Sequence, residues 1–361
     1  MTEQSEAAHS DTQAERLRRI GQLCRSVVPV DRQAGRLCAV RQRARARPAG
    51  SLGRLDEMIT RVAAVRGNPE PAPMTAVVGV LAADHGIARR QTSAFRPEVT
   101  SRLLELIQAD QAPINVLAAQ FGVAVVSADI GLSRPVGDQR YKAGSGTGDI
   151  SIEDAMRLGQ AEQAVLNGIR FADDHLADRP LVGVGEIGVG NTSATAALGS
   201  VLLDVAPDRM VGVGSGIDRS ARDRKRQLVE RAVERVQGRG ADPLHLLAAL
   251  GGYEIAGNVG VILAAAARRQ VIVIDGSITT VSALLAARMC PAVSDYLVAA
   301  HRSTEPGHQL MLDDLGQPPL LSLDMRLGMA SGAVLAIGLC NAALAVADAT
   351  PAARTVGLVA P

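Results

Sequence analysis

The sequence predicts an α/β fold: a doubly wound, mainly parallel sheet with a small helical domain built from the N- and C-terminal segments. Three observations predict it. From residue 74 onward, almost continuously apolar runs of strand length alternate with helical segments, the pattern of parallel strands covered on both faces. Polar and glycine-rich clusters follow those runs immediately, where an open parallel sheet binds ligands. The segments before residue 68 and after residue 331 carry helical periodicity alone.

In chain order, residues 1–14 are polar and partly acidic and read as a disordered tail, without the apolar stretch of a signal peptide or an anchor. Residues 12–66 place Leu17, Ile20, Leu23, Val27 and Val28 at helical spacing, with breaks near Pro29 and at Pro48-Ala49-Gly50. A proline-rich linker, 68–73, then separates a small helical domain (15–68 plus 331–355) from a Rossmann-like α/β domain (74–330). Strands are expected at 76–83, 123–129, 180–184, 210–213 and 271–275, and helices at 97–121, 152–176, 192–205, 219–236 and 244–269. The Ala-rich stretch 331–349 reads as a long helix packed on the N-terminal ones.

Composition excludes several classes. With 47% hydrophobic and 21% charged residues among 361, the chain is not disordered. Lys plus Arg at 38 against Asp plus Glu at 37 leaves a net charge of +1 and no electrostatic footprint for nucleic acid; Arg41, Arg43, Arg45 and Arg47 read as a solvated helix face. Cys24, Cys38, Cys290 and Cys340 have no C-x-x-C spacing and read as reduced, mostly buried thiols of a cytoplasmic protein, neither zinc ligands nor disulfides. The apolar stretch 333–347 is interrupted by Cys340 and Asn341 and falls short of a membrane span. Aromatic residues make up only 2%, with no Trp, so a pocket for a ring must be lined largely by aliphatic groups.

The most informative stretch is 181–199. An apolar run breaks into Gly183, Gly185, Gly188 and Gly190 around the carboxylate Glu186, and Asn191, Thr192 and Ser193 open a helix. This reads as strand, phosphate-binding loop, helix, because glycines let the backbone approach an anion that the helix N-terminus attracts. Glu186 repels phosphate there, so it needs a positive neighbour or a chemical task. The G-x-G-x-x-G match at 183–188 is weak evidence for a dinucleotide, since it lies in mid-chain with extra polar donors beside it. Asp84-His85 at a strand end suits a metal site, a catalytic pair or a capped turn. The segment 301–308 is dense in polar groups but lacks zinc spacing, and Lys225 among Arg222, Arg224 and Arg226 defaults to a solvated helix face.

Several segments together resemble the nicotinate-nucleotide:dimethylbenzimidazole phosphoribosyltransferase family, which activates the lower ligand of cobalamin. They are 47–55 (Arg-Pro-Ala-Gly-Ser-Leu-Gly-Arg-Leu), Ala83-Asp84-His85-Gly86, 146–150, 185–192 (Gly-Glu-Ile-Gly-Val-Gly-Asn-Thr), 251–256, Asp275-Gly276, 301–308 and Arg326-Leu327-Gly328, in the family's order. The resemblance implies transfer of ribose phosphate from nicotinate mononucleotide to a ring nitrogen of a benzimidazole-like base, with inversion at the anomeric carbon. It also implies a homodimer, no metal and no cofactor. Carried over, the backbone around Gly188 and the Lys225 ammonium would hold the 5′-phosphate, Ser303 would lie near the nicotinate, and Ile187 and Leu327 would flank the acceptor. Glu186 would stand beside the reacting centre. Asp84, His85, Asn191, Thr192 and Asp275 fall in the matching segments, and Gly332 in the continuation of the last one, as further substrate-binding candidates.

One departure outweighs the matches. The family's last motif reads Arg-Leu-Gly-Glu, its Glu being the general base, and here Met329 occupies that position. A thioether accepts no proton at useful pH, and general bases contribute about 10²- to 10⁴-fold. Ser277, where the family commonly has an aromatic residue, is a smaller departure. The sequence therefore leaves three readings: a transferase with Glu186 as its catalytic carboxylate and an altered acceptor, a subunit paired with a paralogue that keeps the glutamate, or a nucleotide-binding protein without catalysis.

Overall fold

Strand β1 (Ala76–Ala83) is apolar and buried at every position, which places it inside a sheet covered on both sides. The computed structural model describes residues 12–358. Among the described residues three helices precede the sheet: α1 (Gln13–Ser26), α2 (Arg32–Arg43) and α3 (Arg54–Arg66). After β1 come α4 (Val99–Gln108), α5 (Pro113–Gln120), β2 (Ala124–Gly131), α6 (Leu158–His175) and β3 (Leu181–Ile187). Then follow α7 (Asn191–Leu203), α8 (Arg219–Val236), α9 (Pro243–Leu250), α10 (Tyr253–Ala267), β4 (Val271–Ile274), α11 (Ser277–Met289), β5 (Leu297–Ala299), α12 (Pro306–Leu315) and α13 (Ser331–Ala349).

The strands are all parallel in the order β2-β1-β3-β4-β5. The order reverses between β1 and β3, the switch point at which such sheets open a crevice at their carboxyl ends. Buried apolar residues form one continuous cluster from Ile20 to Ala347. Helix α1 packs on α6 and α10, while α13 lies against α3, α5 and β3, so the N- and C-terminal helices share their core with the sheet. Of the tail expected over 1–14, residues 1–11 lie outside the described residues; Thr12 caps α1, accepting the Glu15 amide at 3.2 Å, so 13–14 are already helical.

Four expectations need correction. Residues 210–213 form no strand: β4 already has β3 and β5 at its edges, and the run is apolar because the Met210 side chain wedges between Gly199 of α7 and Gly307 of α12. The short strand β5 lies outside the expected set. The helix expected over 97–121 is two, parted where Pro113 starts α5, and that over 244–269 is also two, parted at Gly251-Gly252.

The fourth correction bears on the site. β3 extends through Ile187, so Gly185 and Glu186, like Gly183 before them, belong to the strand and not to the loop. A Cβ on Gly185 would stand 2.7 Å from the Cβ and backbone nitrogen of Ala330, ahead of α13, and one on Gly183 would clash with Val78 of β1 at 2.5 Å and press on Ile337 and Ala333 of α13 at 3.3 and 3.4 Å. The actual turn is Gly188-Val189-Gly190, with Gly190 at φ 99° leading into α7.

Among the four alternating arginines, Arg47 pairs with Asp56 at 2.5 Å, Arg45 donates to the Thr350 carbonyl and Arg41 pairs with Glu70. The four cysteines are free thiols. Helix α13 has the length and hydropathy of a membrane span, but half of it is buried against the sheet and α3, which accounts for its apolar sequence.

Candidate functional site

A cavity of about 370 Å³ opens at the carboxyl ends of β3, β4 and β5. The end of β3 contributes Glu186 and the 188–190 turn, β4 is followed by Asp275 and Ser277, and β5 by His301 and Ser303. Much of the lining is apolar, including Phe95, Val99, Leu103, Ile278, Leu327 and Met329. The loop carrying Phe95 is tied over the opening by Ser215, whose hydroxyl meets that of Ser93 and accepts the Ala94 amide, each at 2.9 Å.

Glu186 is 5% exposed and projects into this cavity. One of its oxygens accepts from the Asn191 side-chain amide, and the other lies beside Gly328. Burial, reinforced by the negative charges of Glu254 and Asp275 and opposed by the Asn191 hydrogen bond, pushes its carboxyl up to about 8. Beneath it, His85 and Glu254 meet at 2.7 Å with both side chains shut from solvent. This buried pair braces the start of α10 against the end of β1, under the Gly188 turn.

Lys225 is fully buried, not solvated as its arginine neighbours suggested. It rises from α8 to donate to the Thr192 hydroxyl at 2.9 Å and lies against Gly214. Burial lowers its pKa, and the Glu305 charge works in the opposite direction. Glu305 in turn accepts the Gly214 amide at 2.7 Å. Arg326 reaches the Gly214 carbonyl at 3.4 Å from the other side, so two cations flank one turn at the rim of the cavity.

Asp275 accepts the Ala333 amide at 2.9 Å, capping α13 from the end of β4. Burial raises its pKa, while His301 and the backbone amides at the start of α13 oppose that shift. Gly332 admits this contact, because a Cβ there would overlap the His301 ring and crowd Asp275. Ser303 is fixed by His308: its amide donates to Nδ1 at 2.9 Å, so Nε2 carries the proton toward Thr280. Burial and the neighbouring His301 push His308 down to about 3, which keeps it neutral.

The cavity lining therefore gathers Glu186, Ile187, Gly188, Asn191, Thr192, Asp275, Ser303, Leu327 and Met329 from the expected residues. Four others stand outside it. Lys225 lies behind Thr192, His85 is sealed beneath the turn, Gly332 supports Asp275, and Asp84 accepts the Ser133 amide facing a separate cavity beyond Ser93 and Phe95. The glycine loop 144–149 packs against Gly86 and Tyr253 and stays clear of the lining. Arg326, Glu305, His301 and Ser215 were not among the candidate site residues, although each lies in a segment the sequence marked: 326–328, 301–308 and the glycine-rich cluster after the 210–213 run. Among the described residues no cluster of three or more His, Cys, Asp or Glu could hold a metal ion.

Met329 sits at the start of α13 with φ 59°, its amide donating to the Glu186 carbonyl at 3.2 Å. The segment 326–329 thus spans the cavity, from the cationic turn at Arg326 to the Glu186 wall at Met329.

Residues 27–355 match a family model described as a phosphoribosyltransferase. The nicotinate-nucleotide–dimethylbenzimidazole phosphoribosyltransferase of Chloroflexus aggregans is 42% identical over 325 residues, which are 89% of this chain and 92% of that protein. The protein of that name from Mycobacterium avium is 38% identical over 325 residues, 89% of this chain and 93% of its own. The crystal structure of CobT from Thermus thermophilus matches with a TM-score of 0.87 at 35% identity, covering 91% of this chain and all of that one (100%). The chain belongs to the nicotinate-nucleotide:dimethylbenzimidazole phosphoribosyltransferase family.

Proposed function

We propose that the protein moves ribose 5-phosphate from nicotinate mononucleotide to an aromatic acceptor base, with inversion at the anomeric carbon. The observation that carries this reading is a cavity with two chemically distinct regions. The first residues of α7 and the flanking cations Lys225 and Arg326 suit a phosphate, and the aliphatic wall from Val99 to Met329 suits a flat ring. Lys225 acts from behind Thr192 and Gly214, so its charge reaches the phosphate through that turn.

Ribose phosphate between these regions brings the anomeric carbon toward Glu186. The nicotinate ring nitrogen is cationic in the nucleotide and neutral once released, so bond breaking requires no proton from the protein. Positioning both rings then supplies much of the rate. Met329 provides no proton acceptor, which leaves Glu186 as the carboxylate for acid-base work. Its pKa, pushed up to about 8, leaves Glu186 mostly protonated at pH 7.

Met329 also supports a second reading, in which the chain contributes binding surface to a dimer with a paralogue that retains the glutamate; the first reading places it in a cytoplasmic homodimer. The decisive experiment incubates purified protein with nicotinate mononucleotide and a panel of azoles, phenols and purines, and follows nicotinate release. Release with any acceptor supports the transferase. Silence with all, together with calorimetric binding of the mononucleotide, favours the impaired-subunit and nucleotide-binding alternatives.

A further inference from the structure

Three carboxylates line the cavity, and two of them are committed to the backbone. Asp275 accepts from the first turn of α13, and Glu305 accepts the Gly214 amide. Glu186 is the lining carboxylate held by a side-chain amide instead: one oxygen accepts from Asn191 and the other lies beside Gly328. The neighbouring wall offers Leu327, a thioether at Met329 and aliphatic groups, none of which takes a proton. His301, the other lining side chain able to take a proton, stands with its Nε2 3.9 Å from Asp275. The ring-binding wall is thus shaped for an apolar base and poorly supplied with proton acceptors.

We infer that this site selects acceptors whose attacking ring nitrogen carries a lone pair and whose ring has no N–H to shed: N-substituted imidazoles and benzimidazoles, and pyridine-type bases. The inference rests on the ribose phosphate transfer proposed above. In that transfer, the acceptor lone pair forms a bond to the anomeric carbon, the bond from that carbon to the nicotinate nitrogen breaks, and its electron pair stays on nicotinate. The positive charge moves from one ring to the other, and no proton is transferred. An acceptor bearing N–H gives the same cationic adduct but must then lose its proton to a base. Glu186 and, beside Asp275, His301 are the lining groups able to take it, and burial holds Glu186 mostly protonated at neutral pH. The groups facing Glu186 act together: Glu254 from α10 and Asp275 from β4 disfavour its ionisation, Asn191 from α7 favours it, and His85 and His301 stand behind Glu254 and Asp275.

The test compares 1-methylbenzimidazole with benzimidazole as acceptor for nicotinate mononucleotide, scoring both nicotinate release and the nucleotide formed, between pH 6 and 9. The expected result is that kcat/KM for the methylated base equals or exceeds that for benzimidazole at pH 7 and is flat with pH, whereas benzimidazole turnover rises toward pH 8. In Met329→Glu the ratio should swing toward benzimidazole by about tenfold or more, the low end of a general base's contribution. Turnover of benzimidazole with none of the methylated base overturns the inference and leaves the transferase standing. No turnover of either, or of pyridine, overturns both.

Discussion

Replacing Glu186 by glutamine exchanges an ionisable carboxyl for a neutral amide of the same shape, and the amide oxygen can still accept from Asn191. In the folded protein the carboxyl titrates near 8, against an ordinary value of 4.5, because burial and the charges of Glu254 and Asp275 penalise the anion. A raised pKa means that the folded state binds the proton more tightly than the unfolded state. The associated stability is fully present below pH 4.5 and is lost progressively as pH rises through 8. Between pH 5.5 and 7.5 this one group should cost the wild type about 2 kcal/mol, from 1.36 kcal/mol per pH unit discounted at the upper end. The Glu186→Gln variant should escape that loss. Urea unfolding of both proteins at the two pH values measures it: the stability difference between variant and wild type should grow by about 2 kcal/mol on going to pH 7.5. Parallel pH dependences would show that Glu186 titrates normally, and would remove the reason for treating it as a carboxyl held neutral in the cavity.

The remaining expectations concern its neighbours. Glu254→Gln removes the buried charge beneath the turn, so the rise of benzimidazole turnover with pH should move to lower pH; an unmoved limb would exclude electrostatic control by Glu254. Lys225→Met keeps the aliphatic bulk but deletes the ammonium, and should weaken mononucleotide binding by roughly tenfold or more, as expected for a lost charge-assisted contact; unchanged calorimetric affinity would take Lys225 out of the phosphate region. Gly185→Ala places a methyl against Ala330 and should destabilise the fold by about 1–3 kcal/mol, the usual range for overpacking, as measured by thermal unfolding.

Much of the framework was legible in local pattern. β1 coincides with its expected run, and α8 and α13 start and end where periodicity placed them, because each satisfies its burial within its own stretch of sequence. What escaped depended on a distant partner. Met210 is apolar for the sake of Gly199 and Gly307, Gly185 is small for the sake of Ala330 and Gly183 for the sake of Val78 on the neighbouring strand, relations that no window of sequence displays. The site shows the same division. Glu186 and the following turn announced themselves as a carboxylate among glycines, whereas the burial of Lys225 is hidden in a helix that looks solvated. Glu254 gave no signal beyond its place in the segment 251–256, since its meaning lies in the His85 it meets across 169 residues of chain.

The segment 326–349 follows all five strands in the chain, yet it supplies Arg326, Leu327 and Met329 to the cavity, and the helix end that Asp275 caps. A chain emerging from the ribosome therefore completes its sheet before it can complete its ligand site, and assembly of the site coincides with docking of α13 into the groove left by Gly183 and Gly185. Bound mononucleotide would work as a latch on that last step. Hydrogen exchange in the first turns of α13 should slow when ligand is present, even though the helix itself lies mostly away from it.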